Sequence, residues 1–150
     1  MSRKPGLAVA ILTGGLVAAT IDIAAACLIS GRSVPFILHT IAGGLLAGKS
    51  YSGGLTTALL GFLLQELMGV IIAAIYVIAA RALPVLTHSW RTFGLAYGVV
   101  IFFVMNYVVV PLSAWKHLPH FSTVKFLENM AAMLLFGLIV AYFAQLGTRR

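Results

Sequence analysis

Four long apolar runs constrain this chain more than any other feature of its sequence. They cover about residues 7–29, 55–80, 93–113 and 126–147. Each run contains the roughly 20 residues that an α-helix needs to cross a hydrocarbon core about 30 Å thick. Backbone groups inside lipid must hydrogen-bond to one another, so these runs are expected to be helices rather than strands. The sequence predicts an all-α integral membrane protein with four transmembrane helices in a single domain, residues 1–150.

The charge content supports the same class of protein. Charged residues make up 9% of the chain, which is too few to cover a soluble domain of 150 residues. The net charge is +7, but the basic residues lie scattered at the ends of the apolar runs instead of forming a stripe, and this argues against nucleic acid as a partner. The expected partner is the lipid bilayer. The single cysteine, Cys27, excludes an intrachain disulfide.

The first apolar run follows a basic N-terminus, as it does in a signal peptide. Asp22 interrupts this run, so we interpret it as a retained signal-anchor helix. A shorter apolar stretch, residues 34–48, begins near Pro35 and is too short to cross a bilayer. It predicts a short helix that lies in the membrane interface or dips into it as a re-entrant segment. The alternative is part of a longer tilted helix that breaks at Gly53–Gly54.

Orientation is predicted from the Lys and Arg residues near the ends of the spans. With four spans, both termini share one side with the 81–92 loop, and that side carries six basic residues against four on the other. The bias favours cytoplasmic termini, and Trp90, Tyr51 and Trp115 are expected to be interfacial anchors. The six are Arg3, Lys4, Arg81, Arg91, Arg149 and Arg150, and the four are Arg32, Lys49, Lys116 and Lys125.

Polar side chains inside the spans are the first candidate site. The chain has only three acidic residues, and two of them, Asp22 and Glu66, fall within apolar runs. A charged group in a span costs a few kcal/mol, so it usually faces protein or water. Three ridges of small residues carry Asp22, Gln65 and Asn106 respectively, and such ridges allow helices to pack closely. The ridges contain Gly14, Gly15, Ala18, Ala19, Ala25 and Ala26; Ala58, Gly61, Gly69 and Ala73; and Gly94, Gly98 and Phe102.

The depths of these polar residues permit contact. At 1.5 Å per residue, Asp22 and Asn106 lie about 10 Å from the outer ends of their spans and Glu66 about 16 Å. We therefore hypothesise a cluster of Asp22, Gln65, Glu66 and Asn106 between the helices. The cluster either joins helices through hydrogen bonds or binds an ion, proton or small solute.

A second candidate group is expected on the outer face. Glu128 is predicted in the first turn of the fourth helix, where it complements the helix dipole and lies near Lys125. One interpretation of His39, His117 and His120 is a zinc or copper site formed together with Glu128. Solvated interfacial histidines are the favoured interpretation, so no metal and no cofactor are predicted. No nucleophile–base pair or phosphate-binding loop is present in the sequence, and we do not expect an enzyme.

The stretches "IAGGLLAGKSYSGGLTTALLG", "AAIYVIAARALP" and "YGVVIFFVMNYVVVPLSA" resemble small four-span bacterial inner-membrane proteins of the YagU-like group. The resemblance covers most of the chain from Asp22 onward. It implies a bacterial inner-membrane location and supplies no activity.

Two functions remain open from the sequence. The first is a conduit or transporter for an ion, proton or small solute that uses the intramembrane polar residues. The second is an accessory or assembly subunit whose small-residue ridges pack against a larger membrane complex. Either function predicts a homo-oligomer or a membrane-protein partner.

Overall fold

The computed structural model describes residues 6–116 and 122–148, and no strand occurs within these two ranges. In these ranges the helices Leu7–Ser30, Gly54–Ala82, Trp90–Leu112 and Thr123–Thr148 are long and apolar enough to cross a membrane, which confirms an all-α, multi-pass membrane fold. Each begins and ends within a few residues of the predicted span. In chain order the helices are α1 (Leu7–Ser30), α2 (Val34–Leu46), α3 (Gly54–Ala82), α4 (Val85–His88), α5 (Trp90–Leu112) and α6 (Thr123–Thr148).

The boundary between α1 and α2 follows from local backbone chemistry. Gly31 takes a left-handed conformation with φ 67°, and its N–H donates to the carbonyl of Cys27 at 2.9 Å, which closes the last turn of α1. The Ser33 hydroxyl then accepts a hydrogen bond from the N–H of Phe36, with Pro35 in the first turn of α2. The chain therefore turns sharply at the end of the first span. We call the end of the bundle that carries α2 the outer end, and the opposite end, where α1 begins, the inner end.

Each helix packs mainly on one or two neighbours, in the spatial order α5, α6, α1, α3, α2. Glycines allow two of these contacts. A Cβ atom on Gly69 of α3 would lie 2.5 Å from the carbonyl oxygen of Gly15 on α1, and one on Gly98 of α5 would lie 2.5 Å from the carbonyl of Met133 on α6. Ala18 and Ala19 are almost completely buried in the same way. The small-residue ridges are thus used within one chain, because that is where the helices approach most closely.

Helix α2 is a separate short helix that packs across the outer part of α3 and reaches the end of α5. A 3-10 helix, Ala47–Ser52, follows it. At its far end the N–H of Ala114 donates to the carbonyl of Gly44 at 2.8 Å. Beside this contact Trp115 packs against Gly43 and donates through Nε1 to the carbonyl of Thr40 at 3.1 Å. Trp115 therefore holds α2 in place, a role that the expected interfacial anchor did not include.

Helix α5 contains one irregular turn near its outer end. Its α-helical part, Trp90–Val104, is followed by a π-helical turn, Met105–Val109, and the helix ends at Leu112. Pro111 has no N–H and its ring conflicts with the carbonyl four residues earlier, so a regular α-helix cannot continue unchanged through this point. The helix accordingly ends at Leu112, one residue after Pro111.

Candidate functional site

Asp22 and Gln65 meet across the interface between α1 and α3. Gln65 Nε2 donates a hydrogen bond of 2.9 Å to Asp22 Oδ2 and also lies 3.4 Å from the carbonyl oxygen of Ala19. Both side chains are half-buried. The small residues around them bring the helices close enough for an amide side chain to reach across. The predicted contact between these two residues is present.

Glu66 makes a second, separate contact in the same interface. Its Oε1 accepts a hydrogen bond of 3.0 Å from the hydroxyl of Thr20, and the residue is only 8% exposed. Thr20 and Asp22 are two positions apart on α1, about 200° round the helix. The two polar pairs therefore flank the line of contact between α1 and α3.

Asn106 does not join these pairs. Its Nδ2 donates at 2.9 Å to the carbonyl of Phe102 in its own helix, within the irregular part of α5. Among the described residues, no hydrogen bond connects Asn106 with Asp22, Gln65 or Glu66. The reason lies in the packing order, because the backbone of α5 runs close along α6 and not along α1 or α3. Similar depth in the membrane was not enough to bring these residues together.

Glu128 lies in the second turn of α6 and not in the first, because the helix begins at Thr123, earlier than expected. Its carboxylate forms the predicted ion pair with Lys125, at 3.2 Å. Lys125 Nζ also donates to the carbonyl of Ile29, in the last turn of α1. A cation at this point satisfies a carbonyl that the helix leaves free. Lys125 thus ties the outer ends of α1 and α6 together.

The expected outer-face histidines do not gather around Glu128 in the part of the chain that the structure describes. A ring nitrogen of His39 lies 2.8 Å from the carbonyl oxygen of Gly54, and the ring packs beside Tyr51. His117 and His120 lie outside the described residues. No group of three or more potential metal ligands occurs within residues 6–116 and 122–148.

The sequence did not predict a cleft of about 1060 Å³, which we call the outer cleft. It lies between α2, α3 and α5, and Leu45 and Leu112, 62% and 82% exposed, form part of its rim. Gln65 and Met68 lie deep in it, about 16–21 Å along α3 from Gly54 at 1.5 Å per residue. The lining residues are Thr40, Ile41, Gly44, Leu45, Tyr51, Leu64, Gln65, Met68, Met105, Val108, Val109, Val110, Leu112, Ser113, Ala114 and Trp115.

Below the outer cleft, a tyrosine connects α3 and α5. Tyr97 on α5 donates a hydrogen bond of 2.7 Å to the carbonyl oxygen of Ile72 on α3. The ring of Tyr97 packs on that of Tyr76, with centroids 5.0 Å apart, and the Tyr76 hydroxyl donates to the carbonyl of Leu86. This contact lies nearer the inner end of the bundle than Gln65 and Met68 of the cleft lining. A sequence pattern shows the faces of one helix at a time. It therefore could not predict a cleft that lies between two helices.

Comparison with known proteins gives no match: no family model, no curated protein and no solved structure resembles the chain at a significant level. The resemblance to YagU-like proteins therefore stays a prediction.

Proposed function

We propose that this membrane protein binds a small, mostly apolar solute in the outer cleft and carries it across the bilayer. The observation that carries the proposal is the Asp22–Gln65 pair beside a cleft that reaches the middle of the bundle. Small-molecule sites are typically clefts of about 300–1,000 Å³ with apolar walls and a few polar groups, which matches this lining.

The arrangement of the two ends supports a carrier in preference to an open channel. Leu45 and Leu112 leave the outer cleft accessible at its rim, while the hydrogen bond from Tyr97 to Ile72 joins α3 and α5 below it. A carrier exposes its binding site to one side at a time. The close contact of Gly15 with Gly69 likewise leaves little space for an ion path along the α1–α3 interface.

Location and assembly complete the proposal. We infer a bacterial inner membrane, from the resemblance to YagU-like proteins, and cytoplasmic termini, from the excess of basic residues at the inner end. A homo-oligomer is also proposed, but its contacts must be other than the small-residue ridges, because those ridges are buried within the chain. Accessibility of single cysteines to an impermeant reagent, in a Cys27→Ala background, tests the orientation.

Counterflow in liposomes tests the transport itself. The purified protein is reconstituted, and labelled phenethylamine, phenethyl alcohol and phenylacetate are offered with and without the unlabelled compound inside. We expect at least one probe to enter faster when the unlabelled compound is inside, which protein-free liposomes do not show. If none does, transport of this class of solute is contradicted. Recovery of a stoichiometric membrane-protein partner from mild detergent would then favour the accessory subunit.

A further inference from the structure

We propose that the outer cleft selects an apolar amine in its ammonium form; this inference rests on the proposed binding function and names the class of solute. The lining side chains already use their hydrogen-bond donors within the protein. A site whose donors are all engaged can offer a ligand only lone pairs, so the ligand must bring the hydrogens.

Gln65 uses its donors within the protein. The two hydrogens of Nε2 serve Asp22 Oδ2 at 2.9 Å and the carbonyl of Ala19 at 3.4 Å. Its amide oxygen, Oε1, accepts no hydrogen bond from the described residues, and Gln65 lines the outer cleft. An amide whose N–H donates to a carboxylate becomes a stronger acceptor at its oxygen, because hydrogen bonds in a chain polarise one another.

The hydroxyl groups at the rim are used in the same way. The Thr40 hydroxyl donates to the carbonyl of Phe36 at 2.9 Å. Since Thr40 has only one hydroxyl hydrogen, the 3.0 Å contact between Thr40 and Tyr51 uses the hydrogen of Tyr51. The hydroxyl of Ser113 donates to the carbonyl of Val110 at 2.6 Å. Each of the three oxygens keeps lone pairs, and none keeps a free hydrogen.

The last polar group of the lining is Trp115, and its Nε1–H donates to the carbonyl of Thr40 at 3.1 Å. Within residues 6–116 and 122–148, no Lys, Arg or His belongs to the lining. Asp22 accepts a hydrogen bond from Gln65 and so lies directly behind it. A carboxylate group in the ligand would therefore meet only acceptors, and an ammonium group would meet acceptors backed by a carboxylate. A charged group that leaves water must find hydrogen-bonding partners, and the lining supplies them to an ammonium group but not to a carboxylate, so this difference decides the class.

Binding of three matched probes tests the proposal. Phenethylamine, phenethyl alcohol and phenylacetate have the same apolar body and differ at one end in charge and in hydrogen-bond donors. They are titrated into the purified protein in nanodiscs, and empty nanodiscs are subtracted. We expect saturable binding of phenethylamine, roughly tenfold weaker binding of the alcohol and no detectable binding of phenylacetate. Equal or tighter binding of the alcohol or the carboxylate overturns the proposal, and so does a failure of the amine to bind.

Three variants locate the binding. Gln65→Leu removes the acceptor oxygen, and we expect it to weaken amine binding roughly tenfold. Tyr51→Phe removes a second acceptor oxygen at a rim position that is 42% exposed, so packing should not be disturbed. If Gln65→Leu fails to fold, this variant still tests whether acceptor oxygens of the cleft bind the amine. Asn129→Leu is the matched control, since it removes an amide that is hydrogen-bonded within α6 and lies outside the cleft lining. Unchanged amine affinity in both Gln65→Leu and Tyr51→Phe contradicts the proposed site.

The two proposals fail in different ways. Saturable amine binding without counterflow contradicts transport and leaves the ligand class intact. Counterflow of phenethyl alcohol or phenylacetate in preference to the amine contradicts the ligand class and leaves transport intact.

Discussion

Gln65 Nε2 lies 2.9 Å from Asp22 Oδ2 and joins the middle of α3 to α1. The same side chain lines the outer cleft. One amide therefore both joins two membrane helices and contributes a polar group to the cleft. This double role explains why Gln65 and Glu66 stand side by side in an apolar helix: one lines the cleft, and the other pairs with Thr20.

Removing the Gln65 amide is expected to destabilise the fold modestly. Gln65→Leu leaves Asp22 without its donor, and hydrogen bonds between membrane helices are worth about 1 kcal/mol. We expect a loss of about that size in the free energy of unfolding, measured by denaturation in mixed micelles. Asn129→Leu should change it by less than about 0.5 kcal/mol. Equal losses in the two variants would contradict a special role for the Gln65 amide.

The contact between Gly15 and Gly69 predicts a steric effect. In Gly69→Ala the new Cβ atom would lie 2.5 Å from the carbonyl oxygen of Gly15 and 2.7 Å from the Cβ atom of Ala19. Helices α1 and α3 must then move apart, which we expect to lower the free energy of unfolding by about 1–3 kcal/mol. Gly48→Ala is the control, because a Cβ atom at that position would have no neighbouring atom within 4 Å. A stable Gly69→Ala protein would show that the two helices are not packed this closely.

Lys125 is expected to matter more than its ion-pair partner. Lys125→Met removes both the contact with the carbonyl of Ile29 and the pair with Glu128. Glu128→Gln removes only the pair, and both side chains of that pair are more than two-fifths exposed. Screening by solvent leaves such a pair a few tenths of a kcal/mol, so we expect Lys125→Met to cost about 1 kcal/mol more than Glu128→Gln. Thermal unfolding in detergent measures the stability of both variants. A larger loss in Glu128→Gln than in Lys125→Met would contradict a stabilising contact between Lys125 and Ile29 of α1.

The Tyr97 hydroxyl predicts an effect on transport. Tyr97→Phe removes its hydrogen bond to Ile72, which joins α3 and α5 below the outer cleft. The form in which this bond closes the inner side of the cleft loses about 1 kcal/mol of stability. The population of the form open to the inner side then rises roughly fivefold. We expect faster counterflow of phenethylamine by about that factor. In Tyr76→Phe the lost bond is to Leu86 in the short helix α4 and not to α5, so the rate should stay unchanged. A rate that is unchanged in Tyr97→Phe, or raised equally in both variants, would show that this bond does not limit opening.

The sequence by itself determined the membrane class, the number of spans and the small-residue faces. These properties depend on hydrophobicity and on the helical period, which are local along the chain. For Asp22, Gln65 and Glu66 the period also placed each residue near a helix interface, because a lipid-facing polar group is too costly. The sequence could therefore predict that these side chains face a helix interface, but not which helix lies on the other side of it.

Tertiary structure alone decided which helices are neighbours. Asn106 and Asp22 have similar depth, yet the backbone of α5 runs close along α6 and not along α1 or α3, so Asn106 lies apart from the predicted cluster. The same packing order leaves the space between α3 and α5 that becomes the outer cleft, with α2 and Trp115 beside it. Helix pairing in a membrane depends on the fit of whole surfaces in three dimensions, and the residue pattern of one helix does not contain that fit.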